Sequence, residues 1–394
     1  MAHCTHCPNL AGHIQSFSAL PQTAPESRQG LIDHQPTGCY QLDQDPALEP
    51  AVSQNRLSSI SPAIILGDVR MEHPFPRPKV LVSRCLGFAA CRYDGQQLHS
   101  RIVAQLLNHV DFIDVCPEIE AGLGVPRPPI RLCLQDNKIE VWQPAESRCV
   151  TNALQKAAVF LAQDITNLDG AILKTKSPSC ALQDAKIYNG TDKPQFLQRG
   201  SGIFGTLILE GLGHKAVEDE QRLTNRSLRE HFLIKLFAWT RFRTIAVTPR
   251  MADLVDYHAR HKLLFLAYNQ KRFRLCGKIV ANHERLPAKE VFHQYEQELG
   301  QILLKPFLSK AMINTLYHAL GWVSEDLSSR EKHFIINAIE EYRDERVSLQ
   351  VVTRLIEAQA IRFNHEYLLG QVLLQPFPAQ LSDLSDSGRG RELL

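Results

Sequence analysis

The pattern of hydrophobic and polar positions changes twice along the chain. From Lys79 to about residue 221, short apolar runs typical of strands alternate with stretches that repeat apolar residues at helical spacing. The predicted strands are "KVLVS", "DFIDV" and "DGAILK", and the predicted helices are "QLHSRIVAQLLNHV", "TNALQKAAVFLAQDI" and "GIFGTLILEGL". This alternation predicts a parallel, Rossmann-like sheet with helices on both faces. In such sheets, ligands bind outside the carboxyl ends of the strands.

The strand pattern stops near residue 222, and long amphipathic stretches take over. "SLREHFLIKLFAWTRFR" and "SSREKHFIINAIEEYRDE" are examples of this helical spacing. The fold class is therefore α/β, with an N-terminal parallel-sheet domain over residues 77–221 followed by an all-α domain over residues 222–380. The polar tail, residues 381–394, is predicted to be disordered.

The first 76 residues are rich in Pro, Ser, Gln and Ala and show no sustained apolar period. Such a segment buries too little surface to offset its ordering entropy, so we predict a disordered extension. Cys4 and Cys7 have the spacing of half a zinc site, a weak signal without a second pair. The first strand begins soon after Met71, which makes Met71 an alternative natural start, with the extension not part of the native protein.

Composition narrows the class of protein. The longest apolar runs fall short of the roughly 18 to 20 residues that cross a bilayer, and the N-terminus lacks the pattern of a signal peptide. We therefore expect a cytoplasmic protein without a membrane partner. Ten cysteines in a reducing compartment favour metal or catalytic roles over disulfides. The chain shows neither a Walker loop nor a Rossmann glycine fingerprint, so no nucleotide cofactor is expected.

Cysteines follow each of the three predicted strands. Cys85 and Cys91 come after the first strand, Cys116 after the second and Cys180 after the third. Because parallel strands end at one edge of a sheet, these cysteines are expected to meet in one crevice. Thiolates from dispersed loops favour an iron–sulfur cluster over structural zinc, which usually takes paired knuckles. Unconnected cysteines that merely follow strands are the alternative, because free cysteine is often buried.

Three stretches carry a resemblance to a known family. "VLVSRCLGFAACRYDGQ", "VCPEIEAGLGVPRPPIRL" and "AILKTKSPSCALQDAKIY" resemble, in order, the motifs of the TudS family of thiouracil desulfidases, over about residues 77–221. The helical half, through "LVDYHARHKLLFLAYNQ" and "LIEAQAIRFNHEYLLGQVLLQPFP", resembles the YbgA-like domain. The fusion is similar to the bacterial tRNA 4-thiouridine desulfidases known as RudS. One position departs from the family pattern: Ala181 stands where a glycine usually follows the SPSC motif, which is acceptable if φ there is not positive.

The resemblance implies a [4Fe-4S] cluster held by three cysteines, with one iron open to the thiocarbonyl sulfur of the substrate. We favour Cys85, Cys116 and Cys180 as ligands because each follows a different strand. Cys91 is then a neighbour that can replace any one of them. The implied reaction converts 4-thiouridine in tRNA to uridine and releases sulfide without net redox change. The alternatives are a desulfidase of free thiouracil or thionucleosides, and a non-enzymatic iron–sulfur protein that binds RNA or senses redox state.

Polar residues beside these cysteines are candidates for catalysis. Glu118 is the first candidate for a general base and Asp94 the second. Ser177 is a candidate for binding substrate or relaying a proton, and Lys174 or Lys176 for stabilising negative charge. Each has a structural alternative: Glu118 as a helix cap, Ser177 and Asp94 as turn residues, and the lysines as solvated surface groups.

The start of the helical half is basic. Between residues 221 and 290 there are fifteen Arg or Lys residues and five Asp or Glu residues. A basic surface with interleaved aromatic residues suits RNA, so tRNA is the expected partner, although most of those aromatic residues are predicted to be core. The candidates for RNA contacts are Arg241, Arg243, Lys271, Arg272 and Arg274. His258 and His261, with Asp256 nearby, have a spacing that permits a metal site without specifying one, and we favour a structural or RNA-facing role.

Overall fold

The computed structural model describes residues 75–191 and 194–387, which belong to one compact unit. The predicted N-terminal extension, with Cys4, Cys7 and Met71, lies outside the described residues. The last seven residues of the tail also lie outside them.

Nine strands form two sheets in the first half of the described chain. They are β1 (Lys79–Ser83), β2 (Asp111–Val115), β3 (Arg131–Gln135), β4 (Lys138–Gln143), β5 (Arg148–Cys149), β6 (Gly170–Leu173), β7 (Ala185–Asn189), β8 (Gln195–Gly200) and β9 (Ala216–Asp219). The helices of this half are α1 (Arg101–Leu106), α2 (Pro117–Glu120), α3 (Thr151–Leu161) and α4 (Ile203–Leu212). The α/β fold class is confirmed.

The first sheet is parallel throughout, in the order β2-β1-β6-β9. It contains all three predicted strands and one that the apolar pattern missed. Strand β6 is buried at every position, and β1 is exposed only at Lys79, as expected for strands covered on both faces. One face packs against α3 and α4 through Leu81, Leu173, Ala158 and Phe204. The other face packs against α1 and, unexpectedly, against a helix from the second half of the chain.

A second, mixed sheet was not predicted. Its strand order is β5-β4-β3-β7-β8, with β3 antiparallel to β4 and parallel to β7. The β3–β4 hairpin turns at Asp136 and Asn137, both at positive φ, which is typical of a two-residue hairpin loop. This sheet has its own small core around Leu132, Val141 and Ile187.

The second half is helical, as predicted, over its described residues. The helices are α5 (Arg226–Ala246), α6 (Met251–Arg260), α7 (Lys262–Ala281), α8 (Ala288–Ile302), α9 (Ser309–Gly321), α10 (Ser329–Arg343), α11 (Leu349–Arg362) and α12 (Glu366–Leu369). A capping box between Ser328 and Glu331 begins α10, and α7 is broken at Asn269, whose side chain accepts a hydrogen bond from Arg272 N. None of the helices in the described part of the chain is long and apolar enough to span a membrane.

Helix α5 connects the two halves. Most of its side chains are buried, because it packs against the other helices and also against the first sheet. Leu236 lies close to Gly170 in β6, and one hydrophobic cluster runs from Val80 and Ile172 through Phe237 into the helical half. The two halves therefore share a core, whereas the sequence suggested one core for each.

Part of the tail is anchored instead of free. Arg229 donates hydrogen bonds to the carbonyls of Asp383 and Ser385, and the Asp383 carboxylate pairs with Arg101 of α1. The structured region thus extends to at least residue 387, beyond the boundary at 381 that the polar composition suggested.

One buried and two half-buried histidines predict that acid will destabilise the fold. Burial lowers the pKa of His231 to about 3 and that of His258 to about 4, and it lowers the pKa of His261 well below its usual value. Below about pH 6.5 each of these histidines takes up a proton in the unfolded chain but not in the folded chain. Their neutral form therefore contributes its full stability above that pH, and this contribution is lost as the pH falls. We expect about 4 kcal/mol less unfolding free energy at pH 5.5 than at pH 7.5, roughly 1.4 kcal/mol for each histidine.

Urea denaturation at the two pH values measures this loss. His258 accepts or donates a hydrogen bond with the Tyr295 hydroxyl, so His258→Gln keeps a polar partner there but removes one titrating group. That variant should show about one third less pH dependence, whereas His333→Gln, at an exposed position, should show the full effect. Equal stability at both pH values would contradict the prediction.

Candidate active site

Four cysteines gather at the carboxyl edge of the parallel sheet. Cys85 lies two residues beyond β1, Cys116 directly follows β2, and Cys180 lies in the loop after β6. Between Cys85 and Cys91 the chain turns back on itself, with the amides of Phe88 and Ala89 both donating to the Arg84 carbonyl at 3.1 and 3.0 Å. All four are free thiols, and Cys91 and Cys180 are buried.

The thiols influence one another's protonation. Hydrogen bonding with the Cys91 thiol, together with burial, raises the pKa of Cys116. For Cys91, the hydrogen bond with Cys116 lowers the pKa, but the hydrogen bond with Cys85 and burial outweigh it, so its pKa is raised overall. Burial raises the pKa of Cys180, nearby Cys116 and Glu118 add to the rise, and hydrogen bonds with Ser83 and Ser177 oppose it. The four cysteines thus form one group, as their positions after the strands predicted.

This donor set fits an iron–sulfur cluster. All four donors are soft thiols from separate loops, which is the ligand type that such clusters take. Within residues 75–191 and 194–387, no three His, Cys, Asp or Glu side chains are arranged to hold a single metal ion. An iron–sulfur cluster does not need three protein ligands around one ion, because each of its irons takes a cysteine ligand of its own. The described residues without a metal-binding arrangement include His258 and His261. Their rings hydrogen-bond to the Tyr295 hydroxyl and to the Tyr257 carbonyl.

Glu118 lies at the centre of this edge of the sheet. Its Oε2 accepts hydrogen bonds from Arg127 Nε at 2.9 Å and Nη2 at 2.5 Å, and its Oε1 accepts one from Ser179 Oγ at 2.5 Å. The Arg127 side chain is only 3% exposed and that of Glu118 13%. The carboxylate therefore bonds across to two other segments and is more than a helix cap.

Ser177 shapes the loop that carries Cys180. Its hydroxyl accepts hydrogen bonds from the amides of Ser179 and Cys180 at 3.2 and 3.1 Å, which is the turn-forming role that the sequence left open. Ala181 is not among the described residues with positive φ, so alanine is acceptable where the family usually has glycine. Gly205 of α4 lies against this loop, and a Cβ at Gly205 would approach the Ala181 carbonyl to 2.1 Å.

The two lysines of the same loop have different surroundings. Lys174 Nζ pairs with Glu220 at 2.6 Å and also donates to the Thr175 carbonyl, so its charge is already matched. Lys176 has a positive φ of 59° and an exposed side chain, and its amide donates to Asp184. Neither lysine is shown to reach the thiols.

Asp94 lies in the exposed turn before Gly95. Its carboxylate accepts a hydrogen bond from the Gln96 amide at 3.1 Å and lies 3.5 Å from Arg92. Gly95 has a φ of 73°, which the Asp-Gly turn requires. The structure thus gives Asp94 a turn-forming contact, and its role as a second candidate base stays a prediction.

The basic candidates divide into two groups. Arg243 forms two 2.8 Å hydrogen bonds with the buried carboxylate of Asp169, and Arg241 donates to the Pro376 carbonyl and lies over the Phe75 ring. Burial lowers the pKa of Arg241 to about 10. Both side chains thus have partners within the fold, and a contact of either with RNA stays a prediction. Arg272 also has an internal partner, Glu298, at 3.0 Å.

Lys271 and Arg274 are exposed on α7, and Lys278 is exposed four residues further on. Residues three and four apart lie on the same face of a helix, so these three side chains form one basic stripe. Lys278 was not among the candidates, although its spacing from Arg274 indicated the shared face.

Two functional candidates escaped the sequence reasoning. Arg127, between two prolines in "GVPRPPI", resembles a surface charge in the sequence, and Ser179 was passed over for Ser177. Both contact Glu118 from other loops, and such a contact leaves no pattern in the local sequence. Only the closeness of Arg127 and Ser179 to the cysteine motifs in the sequence could have indicated them.

Comparisons with known proteins match the two halves separately. Residues 80–220 match the 2-thiouracil desulfurase family, and residues 262–378 match a family described as a protein of unknown function, DUF1722. The "Uncharacterized protein YbgA" of Escherichia coli (strain K12) is 29% identical over 136 residues, which is 34% of this chain and 80% of that protein. The "Uncharacterized protein YbbK" of Bacillus subtilis (strain 168) is 28% identical over 159 residues, 36% of this chain and 96% of that protein.

One solved structure is also similar, "[4Fe-4S]-dependent thiouracil desulfidase TudS". It is 29% identical and aligns over 37% of this chain and 93% of its own, with a TM-score of 0.31.

The fold and the site together define a class: a parallel α/β domain with a thiol cluster at its carboxyl edge, joined to a helical domain. The matches make the class specific. The chain is a TudS-like domain of the 2-thiouracil desulfurase type fused to a YbgA-like domain, which confirms the resemblance seen in the sequence motifs.

Proposed function

We propose that this protein is a [4Fe-4S]-dependent desulfidase that converts 4-thiouridine in tRNA to uridine. The observation that carries the proposal is the convergence of four thiols and Glu118 at one edge of the sheet, inside a domain that matches the 2-thiouracil desulfurase family. The basic stripe on the helical half supports the choice of a polyanionic substrate.

Three thiols from three strand ends, those of Cys85, Cys116 and Cys180, would hold the cluster. Cys91 is close enough to Cys85 and Cys116 for both to affect its pKa, and it is the alternative ligand. When bound, the cluster supplies a soft Lewis acid for the thiocarbonyl sulfur of the substrate. The residues around it then have to exclude bulk water, position one water molecule and accept its proton.

We assign the acceptance of that proton to Glu118. Its Oε1 bonds to the Ser179 hydroxyl and keeps acceptor capacity for a water molecule, because each carboxylate oxygen has two lone pairs. Water adds its oxygen to the ring carbon as the carbon–sulfur bond breaks, and the sulfur leaves as sulfide. One water and one thiocarbonyl give one carbonyl and one hydrogen sulfide, so no electrons are gained or lost.

The Lys174–Glu220 pair flanks the same loop. Because Lys174 is already neutralised by Glu220, we assign it the role of holding the Cys180 loop, together with the hydrogen bond from its amide to Ser83 Oγ at 2.9 Å. This assignment replaces direct stabilisation of negative charge by Lys174.

The tRNA substrate is tested by salt and by charge removal. Replacing Lys271 and Arg274 with glutamine should raise KM for thiolated tRNA about tenfold and reduce the slope of log binding affinity against log salt by about two, since each lost phosphate contact removes about one. Sulfide release from thiolated tRNA, measured from low to raised salt, gives both quantities.

The matched control removes two charges elsewhere on the helical half. Lys310 and Lys332 are exposed on α9 and α10, and the double change to glutamine there should leave KM within about twofold if the stripe is specific. Equal effects of the two double variants would overturn the assignment of the stripe. A faster reaction on free thiouracil than on tRNA would favour the alternative that the family name suggests. A cluster-bearing protein that binds RNA but releases no sulfide from any thiolated substrate would favour the non-enzymatic alternative.

A further inference from the structure

One ion pair connects all three cysteine-bearing loops. Arg127 bonds through Nε and Nη2 to Glu118, in the segment that follows Cys116. Its Nη1 donates to the Cys91 carbonyl at 3.1 Å and to the Gly124 carbonyl at 2.7 Å, and its amide donates to the Tyr93 carbonyl at 2.9 Å. Glu118 reaches the third loop through Ser179 Oγ, one residue before Cys180.

We propose that Arg127 is a positioning residue. It holds Glu118 and the Cys91 loop in the geometry that the four cysteine thiols require. This inference rests on the proposed function of Glu118. The guanidinium makes no contact with a thiol in the described part of the chain, so it acts through the groups it binds. We call the set of Arg127, Glu118 and Ser179 the loop clamp.

The position of the clamp argues against a role in stability alone. Removing two charges from water costs more than a buried pair commonly returns, so such a pair contributes little net stability compared with apolar packing. An apolar pair would, however, satisfy neither the Cys91 and Gly124 carbonyls nor the Ser179 hydroxyl. The pair bonds to three loops at once, which apolar side chains do not do.

The clamp also depends on arginine specifically. A guanidinium presents five N–H donors in a rigid plane, and Arg127 uses them on one carboxylate oxygen and two carbonyls. A lysine at this position keeps the charge, but its donors all sit on one nitrogen at the end of a flexible chain and do not form a rigid plane. Arg127→Lys therefore separates the shape of the clamp from its charge.

The test measures how well the loops protect their thiols in reduced, cluster-free protein. In Arg127→Gln and Arg127→Lys, alkylation of Cys91 and Cys116 by iodoacetamide, followed by peptide mass spectrometry, should be about tenfold faster than in the unaltered protein, because the loops open more often. Both variants should also bind less iron per chain on reconstitution. The loaded variants should show a lower kcat with KM changed less than about twofold, since substrate contacts are untouched.

Arg243→Gln is the matched control. It breaks another arginine–carboxylate pair made through Nε and Nη2, here with both carboxylate oxygens. This pair lies at the opposite end of the parallel sheet, where Arg243 binds Asp169 just before β6. It should lower the melting temperature without exposing Cys91 or Cys116. Protection restored by Arg127→Lys, unchanged protection in Arg127→Gln, or equal exposure in Arg243→Gln would each overturn the inference.

The clamp and the proposed function fail in different ways. If the unaltered, cluster-loaded protein releases no sulfide, the proposed function is wrong, but thiol protection and iron content still report on Arg127. If the protein is active and Arg127 has no effect on any of these measurements, only the clamp is wrong.

Discussion

Replacing Cys85, Cys116 or Cys180 with serine, one at a time, should abolish iron binding and desulfidase activity together. Each thiol follows a different strand, so the loss of one removes one of the three proposed ligands of the cluster. The hydroxyl of serine is a harder donor and a poor substitute for thiolate on iron. We expect iron content to fall to near the background level and sulfide release to fall by a factor of at least about 10³, since both depend on the assembled site.

The visible absorbance of anaerobically reconstituted protein, together with iron and sulfide content, measures the first loss, and sulfide release from thiolated tRNA measures the second. Cys133 is the matched control, because it is fully buried in β3 of the mixed sheet and forms no disulfide with another cysteine of the described residues. Cys133→Ser should keep iron even if it is less stable. Iron binding and activity retained in all three serine variants would refute the site.

Cys91→Ser decides the choice among the four thiols. If Cys85, Cys116 and Cys180 are the ligands, Cys91→Ser should retain most of its iron. Its activity should change less than that of the other three, because the serine hydroxyl still offers hydrogen bonds to Cys85 and Cys116. If instead Cys91→Ser loses iron and one of the other three variants keeps it, Cys91 takes that residue's place as a ligand.

The positions of the cysteines could be predicted because they depend on a simple rule. Apolar runs identify β1, β2 and β6, and the rule that parallel strands end at one edge brings Cys85, Cys116 and Cys180 together. Strand β9 escaped because its sequence, Ala216–Asp219, ends in two acidic residues and lacks an apolar run. The mixed sheet escaped because β8 is exposed along most of its length and gives no burial pattern.

Charged residues were the least predictable part of the site. In the sequence, Arg127, Arg241 and Arg243 look alike, as isolated basic residues. The structure gives each a different internal partner, and a buried ion pair between residues as distant as Arg243 and Asp169 leaves no periodic signal. The exposed stripe on α7 could be recognised because its residues are spaced for one helix face.

The shared core has a similar explanation. Helix α5 reads as an ordinary amphipathic helix, and only its near-complete burial shows that it covers the first sheet as well as its own bundle. Near residue 222 the chain changes from alternating strands and helices to helices alone, but the hydrophobic core continues across this boundary. The helical half is thus built against the sheet that carries the cysteines.

Glu118→Gln should separate catalysis from assembly of the site. Glutamine is nearly isosteric with glutamate and still offers an acceptor oxygen to Ser179 or Arg127, but it does not take up a proton. If Glu118 is the general base, we expect sulfide release to fall by a factor of about 10² to 10⁴, the usual contribution of such a group, with iron content preserved. Glu118→Asp should also be impaired, because its shorter side chain does not reach both Arg127 and Ser179.

Glu120 supplies the matched control for this prediction. It lies two residues further along the same short helix, α2, and its side chain is exposed. Glu120→Gln removes the same charge from the same element without touching the loop clamp, so its rate should stay within about twofold of the unaltered protein. A Glu118→Gln protein with full iron and full activity would show that another group accepts the proton. One that loses its iron would instead show that Glu118 holds the three loops together and that its catalytic role has to be tested by another substitution.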